Sequence, residues 1–227
     1  MKKSAYVLSL ILTLSVLTAC TSAQKPLPVA QPDLDSQFGV DKNINISTID
    51  SWLGRDDVVY RDVRMLFDPA DYAAIGGDAE LSRTIEGFKI VPYPYIATLQ
   101  ALPVSGAYAG SCLFTVEWSK DGSVVSAEPN YEESKQILEE LFPKDKAVFL
   151  MCGGGGYSGM LRTLLIFLGW DASKLYNIGG NWSYKGSHNL ELIVYPEDAG
   201  GDKTYATWRA DYAYIDFSRL NAIGKQP

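Results

Sequence analysis

The chain has 227 residues, 20 Lys and Arg against 27 Asp and Glu, and a formal net charge of −7. That length allows one domain or two small ones with a real core, and 47% apolar with 21% charged residues excludes wholesale disorder. The acidic balance leaves no basic stripe to neutralise phosphates, so nucleic acid is excluded as the main partner. Three cysteines, Cys20, Cys112 and Cys152, are too few for a disulfide framework.

The N-terminus reads as an address. Lys2 and Lys3 form a positive region ahead of an apolar run over 5–16. The run falls short of the roughly 20 apolar residues of a membrane span and has the layout of a secretory signal peptide. Its end, Leu17-Thr18-Ala19-Cys20, resembles the lipobox of bacterial lipoproteins. That resemblance implies a signal peptide over 1–19, acylation of the Cys20 thiol, and a mature chain two positive charges poorer. Several acyl chains anchor a protein firmly, whereas one alone binds only marginally. Thr21 stands where an Asp would mark inner-membrane retention. The expected location is the cell envelope, at the outer membrane facing the periplasm in a Gram-negative host. Residues 20–45, with Pro26, Pro28 and Pro32 and no apolar period, read as the lipidated cysteine and an extended flexible tether. Residues 46–227 read as the folded domain.

Within that domain strands and helices alternate. Ser47 is placed to cap a short helix over 48–53 that Gly54 stops, and a strand over 57–63 follows. A helical turn is expected over 69–74, ended by Gly76-Gly77, then a short apolar segment over 87–91 before Pro92 and Pro94. Segments 108–118 and 123–127 predict a hairpin around Asp121-Gly122. Asn130 is placed to cap a helix over 131–141, with Glu132 and Glu133 in its first turn and Pro143 beyond its end. Residues 147–151 form a continuous apolar run, as suits the middle of a parallel sheet.

Directly after that strand comes Cys152-Gly153-Gly154-Gly155-Gly156-Tyr157-Ser158, and then an almost wholly apolar helix from about 159 to 168, with Gly169 at its end. A cysteine between a strand's carboxyl end and a helix N-terminus sits among free N–H groups and a favourable dipole, which suit a thiolate and a bound anion. Four glycines let successive N–H groups converge without a Cβ clash. A plain glycine connector with an incidental thiol fits the same local pattern.

Several pieces then occur in a familiar order. Tyr60-Arg61-Asp62-Val63-Arg64 resembles the early strand of rhodanese-like (sulfurtransferase) domains, which ends in Asp-Val-Arg. The segment Ile85-Glu86-Gly87-Phe88-Lys89-Ile90-Val91-Pro92 loosely resembles their Gly-His-Ile-x-Gly-Ala-x-x-Ile-Pro stretch. Val148-Phe149-Leu150-Met151-Cys152 resembles the strand that delivers the catalytic cysteine. Leu168-Gly169-Trp170 and Gly179-Gly180-Asn181-Trp182 resemble later landmarks. The likeness covers about residues 46–186.

The resemblance implies an α/β fold: a central, mainly parallel sheet with helices on both faces. To it this chain adds an inserted hairpin near 100–128 and strand-like alternation over 190–220. It also implies that Cys152 is a nucleophile that carries sulfane sulfur as a persulfide. Gly153, Gly154, Gly155, Gly156, Tyr157 and Ser158 would bind the substrate, a small sulfur-containing anion, and a thiol or cyanide would accept the sulfur. The six residues from Cys152 to Tyr157 match the sulfurtransferase loop length; the related phosphatases use seven and close on an arginine, where this chain has Ser158. Many active members hold a cation in the loop, and this chain has none from Cys152 to Met160. Arg162 is read either as the substrate's cation or as the partner of a carboxylate such as Asp62. Asp62 and Arg64 are read as architectural. Cys112 is read as a buried free thiol, with a pairing to Cys152 as the alternative, and His188 has no sequence support as a base or ligand. No cofactor or metal is called for. A non-catalytic rhodanese-like module that recognises an anion or a protein is the competing function.

Overall fold

The structure is a computed structural model that describes residues 24–64, 83–98, 110–191, 193–195, 204–206, 213 and 215–224. In chain order its elements are β1 (Val58–Asp62), β2 (Arg83–Ile85), β3 (Lys89–Ile90), the one-turn helix α1 (Tyr93–Ile96), β4 (Phe114–Trp118), β5 (Val124–Pro129), α2 (Ser134–Leu141), β6 (Ala147–Cys152), α3 (Gly156–Phe167), β7 (Leu175–Gly180), β8 (Asn189–Glu191), β9 (Ile193–Tyr195) and β10 (Thr204–Ala206). The signal peptide, Cys20, the helical turn over 69–74 and the start of the strand over 108–118 fall outside the described residues. Among the described residues no helix is long and apolar enough to cross a membrane.

The centre is a four-stranded parallel sheet in the order β3-β1-β6-β7. β6 is buried at every position, and its side chains alternate between two cores. Val148, Leu150 and Cys152 enter a cluster with Leu138 of α2 and Leu161, Leu164 and Leu165 of α3. Ala147, Phe149 and Met151 enter the other, with Ile44, Ile49 and Trp52. A strand flanked by apolar layers on both sides has to read as an unbroken apolar run, which is why residues 147–151 show no polar alternation.

The described helices lie mainly on one face, and the helical turn expected over 69–74 falls outside the described residues. Among the described residues, α1, α2 and α3 all pack into the first cluster. The second face is covered by a single 3-10 turn, Ile49–Trp52, and by the chain in front of it. That chain is the segment read as a tether. Ala30 N–H donates to Ser173 O (3.0 Å), Asp41 N–H to Asn177 O (2.7 Å) and Ile46 N–H to Ile178 O (2.7 Å), while Ile44 is fully buried. The buried Asp41 carboxylate accepts the N–H groups of Asn43 (2.9 Å) and Ile44 (2.8 Å), which fixes the turn into the core. The physical reason is the sheet's edge: β7 would otherwise leave backbone groups and one apolar face to solvent. Residues 24–45 therefore belong to the domain, and the boundary at 46 moves forward.

The hairpin forms as expected, with β4 and β5 antiparallel and Gly122 at φ +81° in the turn. α2 starts later than its sequence suggests. Asn130 donates its amide to Cys112 O (3.0 Å) instead of capping, and Ser134 ties Tyr131 N–H (3.1 Å) to Leu113 O (2.8 Å). Glu133 lies ahead of the helix and accepts both the backbone N–H (3.0 Å) and the side-chain amide (2.6 Å) of Asn221, joining the C-terminal segment to the body. After the sheet, β8 pairs with β2 and β9 with β10, all antiparallel, so added C-terminal strands are present.

Asp62 and Arg64 stand at the carboxyl edge of β1 and are both buried, with Arg64 Nε 2.9 Å from Asp62 Oδ2. Thr84 donates its hydroxyl to the same oxygen at 2.7 Å, and Arg64 also donates to Arg83 O, so the pair fastens β2 to β1. This is an architectural role. Asp62→Ala, which strands the guanidinium, is expected to lower stability by about 3–5 kcal/mol in urea unfolding.

Candidate active site around Cys152

β6 ends on Cys152 with the side chain on the α3 face, in register with Gly180 at the end of β7. The chain then turns through Gly153, Gly154 and Gly155, the last at φ +103°, and α3 begins at once on Gly156. The helix thus starts earlier than the sequence suggests. Tyr157 and Ser158 are its first turn, and the loop proper is three glycines. Gly155 N–H donates to Cys152 Sγ at 3.0 Å. The first-turn N–H groups of a helix have no intrahelical acceptor, so the amino end of α3 adds positive character beside the sulfur.

The glycines are fixed by their neighbours. A Cβ on Gly153 would lie 2.5 Å from Trp182 Cζ2, and one on Gly154 would lie 3.1 Å from Trp182 Cζ3. Trp182 N–H donates to Gly153 O at 3.1 Å, so the indole is held across the loop. A methyl on Gly180 would overlap Gly153 O and Gly154 Cα. On the other side Phe38 packs on Gly155 and Gly156, and a Cβ on Gly159 would stand 2.8 Å from Phe38 O. The segment is a tightly packed turn.

Tyr157 stacks on Tyr93, with centroids 5.3 Å apart and planes at 10°, as part of the core. Burial pushes the Tyr93 hydroxyl far above the usual phenol range. Ser158 is fully buried, so it meets the sulfur from within rather than a substrate from outside. Its Oγ lies 3.6 Å from Cys152 Sγ, 2.9 Å from Gly155 O and 2.7 Å from Asn177 Oδ1.

Arg162 is not part of the site. Its Nε donates to Leu175 O (2.8 Å) and its Nη2 to Ala172 O (3.3 Å), at the amino end of β7. Cys152 faces the opposite end of that strand, about 16 Å away at a rise of about 3.3 Å per residue. Burial pushes the guanidinium pKa down, and Asp41 partly offsets this. Arg162 is therefore a structural tie between α3 and β7, made through backbone carbonyls rather than through Asp62. Among the described residues, the positive groups shown at the sulfur are the Gly155 N–H and the amino end of α3.

Cys112 and Cys152 are both free and buried, so no bridge joins them. Cys112 lies 3.3 Å from Phe114 O and 3.5 Å from Asn130 Nδ2, and burial pushes its thiol pKa up. His188 Nδ1 lies 3.3 Å from Glu86 Oε2 beside the β2–β8 pair. Among the described residues no cluster of side chains could hold a metal ion.

Sequence reasoning missed two residues that build the site, Phe38 and Asn177, and assigned no role to a third, Trp182. Asn177 carried a signal, since it is the one amide inside the buried strand Leu175–Gly180. Trp182 appeared only as a landmark. Phe38 gave no signal, lying in a segment without apolar period. No family model matches the chain, and no curated protein or solved structure matches it either.

The two kinds of crowding at the loop should separate by experiment. Gly153→Ala displaces a side-chain ring and is expected to cost about 1–3 kcal/mol. Gly180→Ala meets backbone and is expected to cost more, read from urea unfolding of the two variants side by side.

Proposed function

We propose that the protein is a rhodanese-like sulfurtransferase, its α/β domain a rhodanese-like fold, that carries sulfane sulfur as a persulfide on Cys152. The observation that supports this most directly is the placement of the thiol. It sits at the carboxyl end of a central parallel strand, accepts Gly155 N–H at 3.0 Å, and has the amino end of α3 beside it. The order of the sequence pieces and the four-stranded parallel sheet agree with the same reading.

In the first half-reaction the Cys152 thiolate attacks the outer sulfur of a thiosulfate-type donor. A bond forms between Sγ and that sulfur, the donor's S–S bond breaks, and sulfite leaves with the electron pair. Backbone N–H groups of the glycine turn are suited to the negative charge that results on the persulfide. In the second half-reaction a thiophile such as cyanide or a thiol takes the outer sulfur, and Cys152 recovers its thiolate. The site would select small anions that fit between Trp182 and Phe38, using dipoles in place of a side-chain cation. On this reading Cys20 carries lipid and holds the domain at a membrane of the cell envelope.

One observation favours the competing binding module: Cys152 is only 2% exposed, beneath a loop that Trp182 covers. The two are separated by incubation with thiosulfate. The enzyme is expected to gain the mass of one sulfur on the Cys152 peptide and to form thiocyanate from cyanide, with both lost in Cys152→Ser. Wild-type protein that shows neither is the binding module. The anchor has its own readout: inhibition of lipoprotein signal cleavage should leave a precursor of different mass, and an unchanged mass overturns a lipidated Cys20.

A further inference from the structure

The Ser158 hydroxyl has one hydrogen and three acceptors within reach: Asn177 Oδ1 at 2.7 Å, Gly155 O at 2.9 Å and Cys152 Sγ at 3.6 Å. The Asn177 amide is oriented without ambiguity. Its nitrogen faces two carbonyls, Phe38 O (2.8 Å) and Gly155 O (3.2 Å), and its oxygen accepts Gly179 N–H at 3.0 Å. Asn177 Oδ1 and Gly155 O can both only accept, and Gly155 O already receives the Gly159 N–H at 3.0 Å, so the Ser158 hydrogen rests on the nearer acceptor, Asn177 Oδ1 at 2.7 Å. A lone pair of Ser158 Oγ then faces the sulfur and accepts the S–H of a neutral thiol.

When the sulfur loses its hydrogen the balance reverses. A hydrogen bond to a charged acceptor is roughly twice as strong as a neutral one, and Ser158, Asn177 and Cys152 are all nearly or fully excluded from water. Rotation about the C–O bond alone carries the hydrogen from Asn177 to Sγ, with no heavy atom moving. Other polar groups near the sulfur do not do this. Tyr157 of α3 and Tyr93 of α1 stack on one another, and Asp62 after β1 is paired with Arg64. Arg162 is held at the far end of β7, Asp41 is engaged with the Asn43 and Ile44 N–H groups, and Glu128 of β5 is exposed.

We propose that Ser158 is a catalytic residue that donates a hydrogen bond to Cys152 Sγ whenever that sulfur is negatively charged, and that Asn177 is the positioning residue that holds the hydrogen otherwise. The catalytic role rests on the sulfurtransferase reading. There the sulfur begins the first half-reaction as a thiolate and ends the second as one, and the hydroxyl stabilises the leaving thiolate as the outer sulfur departs.

The test needs no sulfur transfer, so it stands or falls separately from that reading. The ultraviolet absorbance of the thiolate is followed across pH on the full chain, with the Cys152→Ser signal subtracted. Ser158→Ala is expected to move the ionisation midpoint up by about one pH unit, which is about tenfold less thiolate below the midpoint. Ser158→Thr, which keeps the hydroxyl, should hold the midpoint near the wild-type position. Asn177→Leu removes the nearer acceptor and leaves only Gly155 O at 2.9 Å to compete with the sulfur, so the midpoint should move down when Ser158 is present, with no shift in a Ser158→Ala background. A folded Ser158→Ala protein with an unmoved midpoint overturns the proposal. So does an Asn177→Leu shift that is equal in both backgrounds. Ser158→Ala adds no bulk, so it decides the matter where Asn177→Leu fails to fold.

Discussion

The structure around the thiol depends on one close approach of two backbones, the glycine turn after β6 against the end of β7. Gly153 O and Gly154 Cα lie where a Cβ on Gly180 would be, and Trp182, two residues further along, closes over the same turn. A side chain on Gly180 would meet backbone, and one on Gly153 would have to displace the Trp182 ring. Once it is made, the chain after Cys152 has no room to wander, and α3 must begin immediately. The amino end of the helix and the Gly155 N–H are thereby brought to the sulfur. The glycines cost conformational entropy, about 0.5–1 kcal/mol each relative to alanine. What they permit is a turn tight enough to aim backbone donors at a buried thiol.

On the proposed sulfurtransferase reading, this arrangement would let a loop with no charge of its own receive an anion. Arg162, the only cation in α3, is engaged at the far end of β7. The work falls to oriented dipoles, which are strongest where water is excluded. Burial of Cys152 to 2% exposure strengthens those dipoles and restricts entry at once. Trp182 and Phe38 are the two rings packed against the loop.

The features legible in the sequence were those with a local cause. The apolar run of β6, the Asp121-Gly122 turn and the strand–cysteine–helix succession each follow from neighbouring residues, and each is present. Features set by distant packing were not legible. Asn130 looks like a helix cap but serves Cys112 O across the fold, and Glu133 bonds Asn221 instead of strengthening the start of α2. Arg162 looked available because nothing local engages it; its acceptors, Ala172 O and Leu175 O, lie in the next segment. The Pro-rich stretch before Ile44 has the composition of a linker, yet its backbone completes the edge of β7 and its Phe38 forms a wall of the site. Composition reports what a segment cannot do alone, and this one acts only against the sheet.

That last point changes what an anchor would do. A flexible tether over 20–45 would let the domain roam well away from a bilayer. With residues 24–45 fixed on the domain, only the few residues between Cys20 and Lys25 are left to span, at most about 18 Å when fully extended. Lys25 is already held there: its carbonyl accepts the Arg55 guanidinium at 2.8 Å and its ammonium lies 5.3 Å from the Trp52 ring. The same segment carries Phe38 to the loop, so the contacts on Trp52 and Arg55 and the wall around the glycine turn belong to one continuous strap.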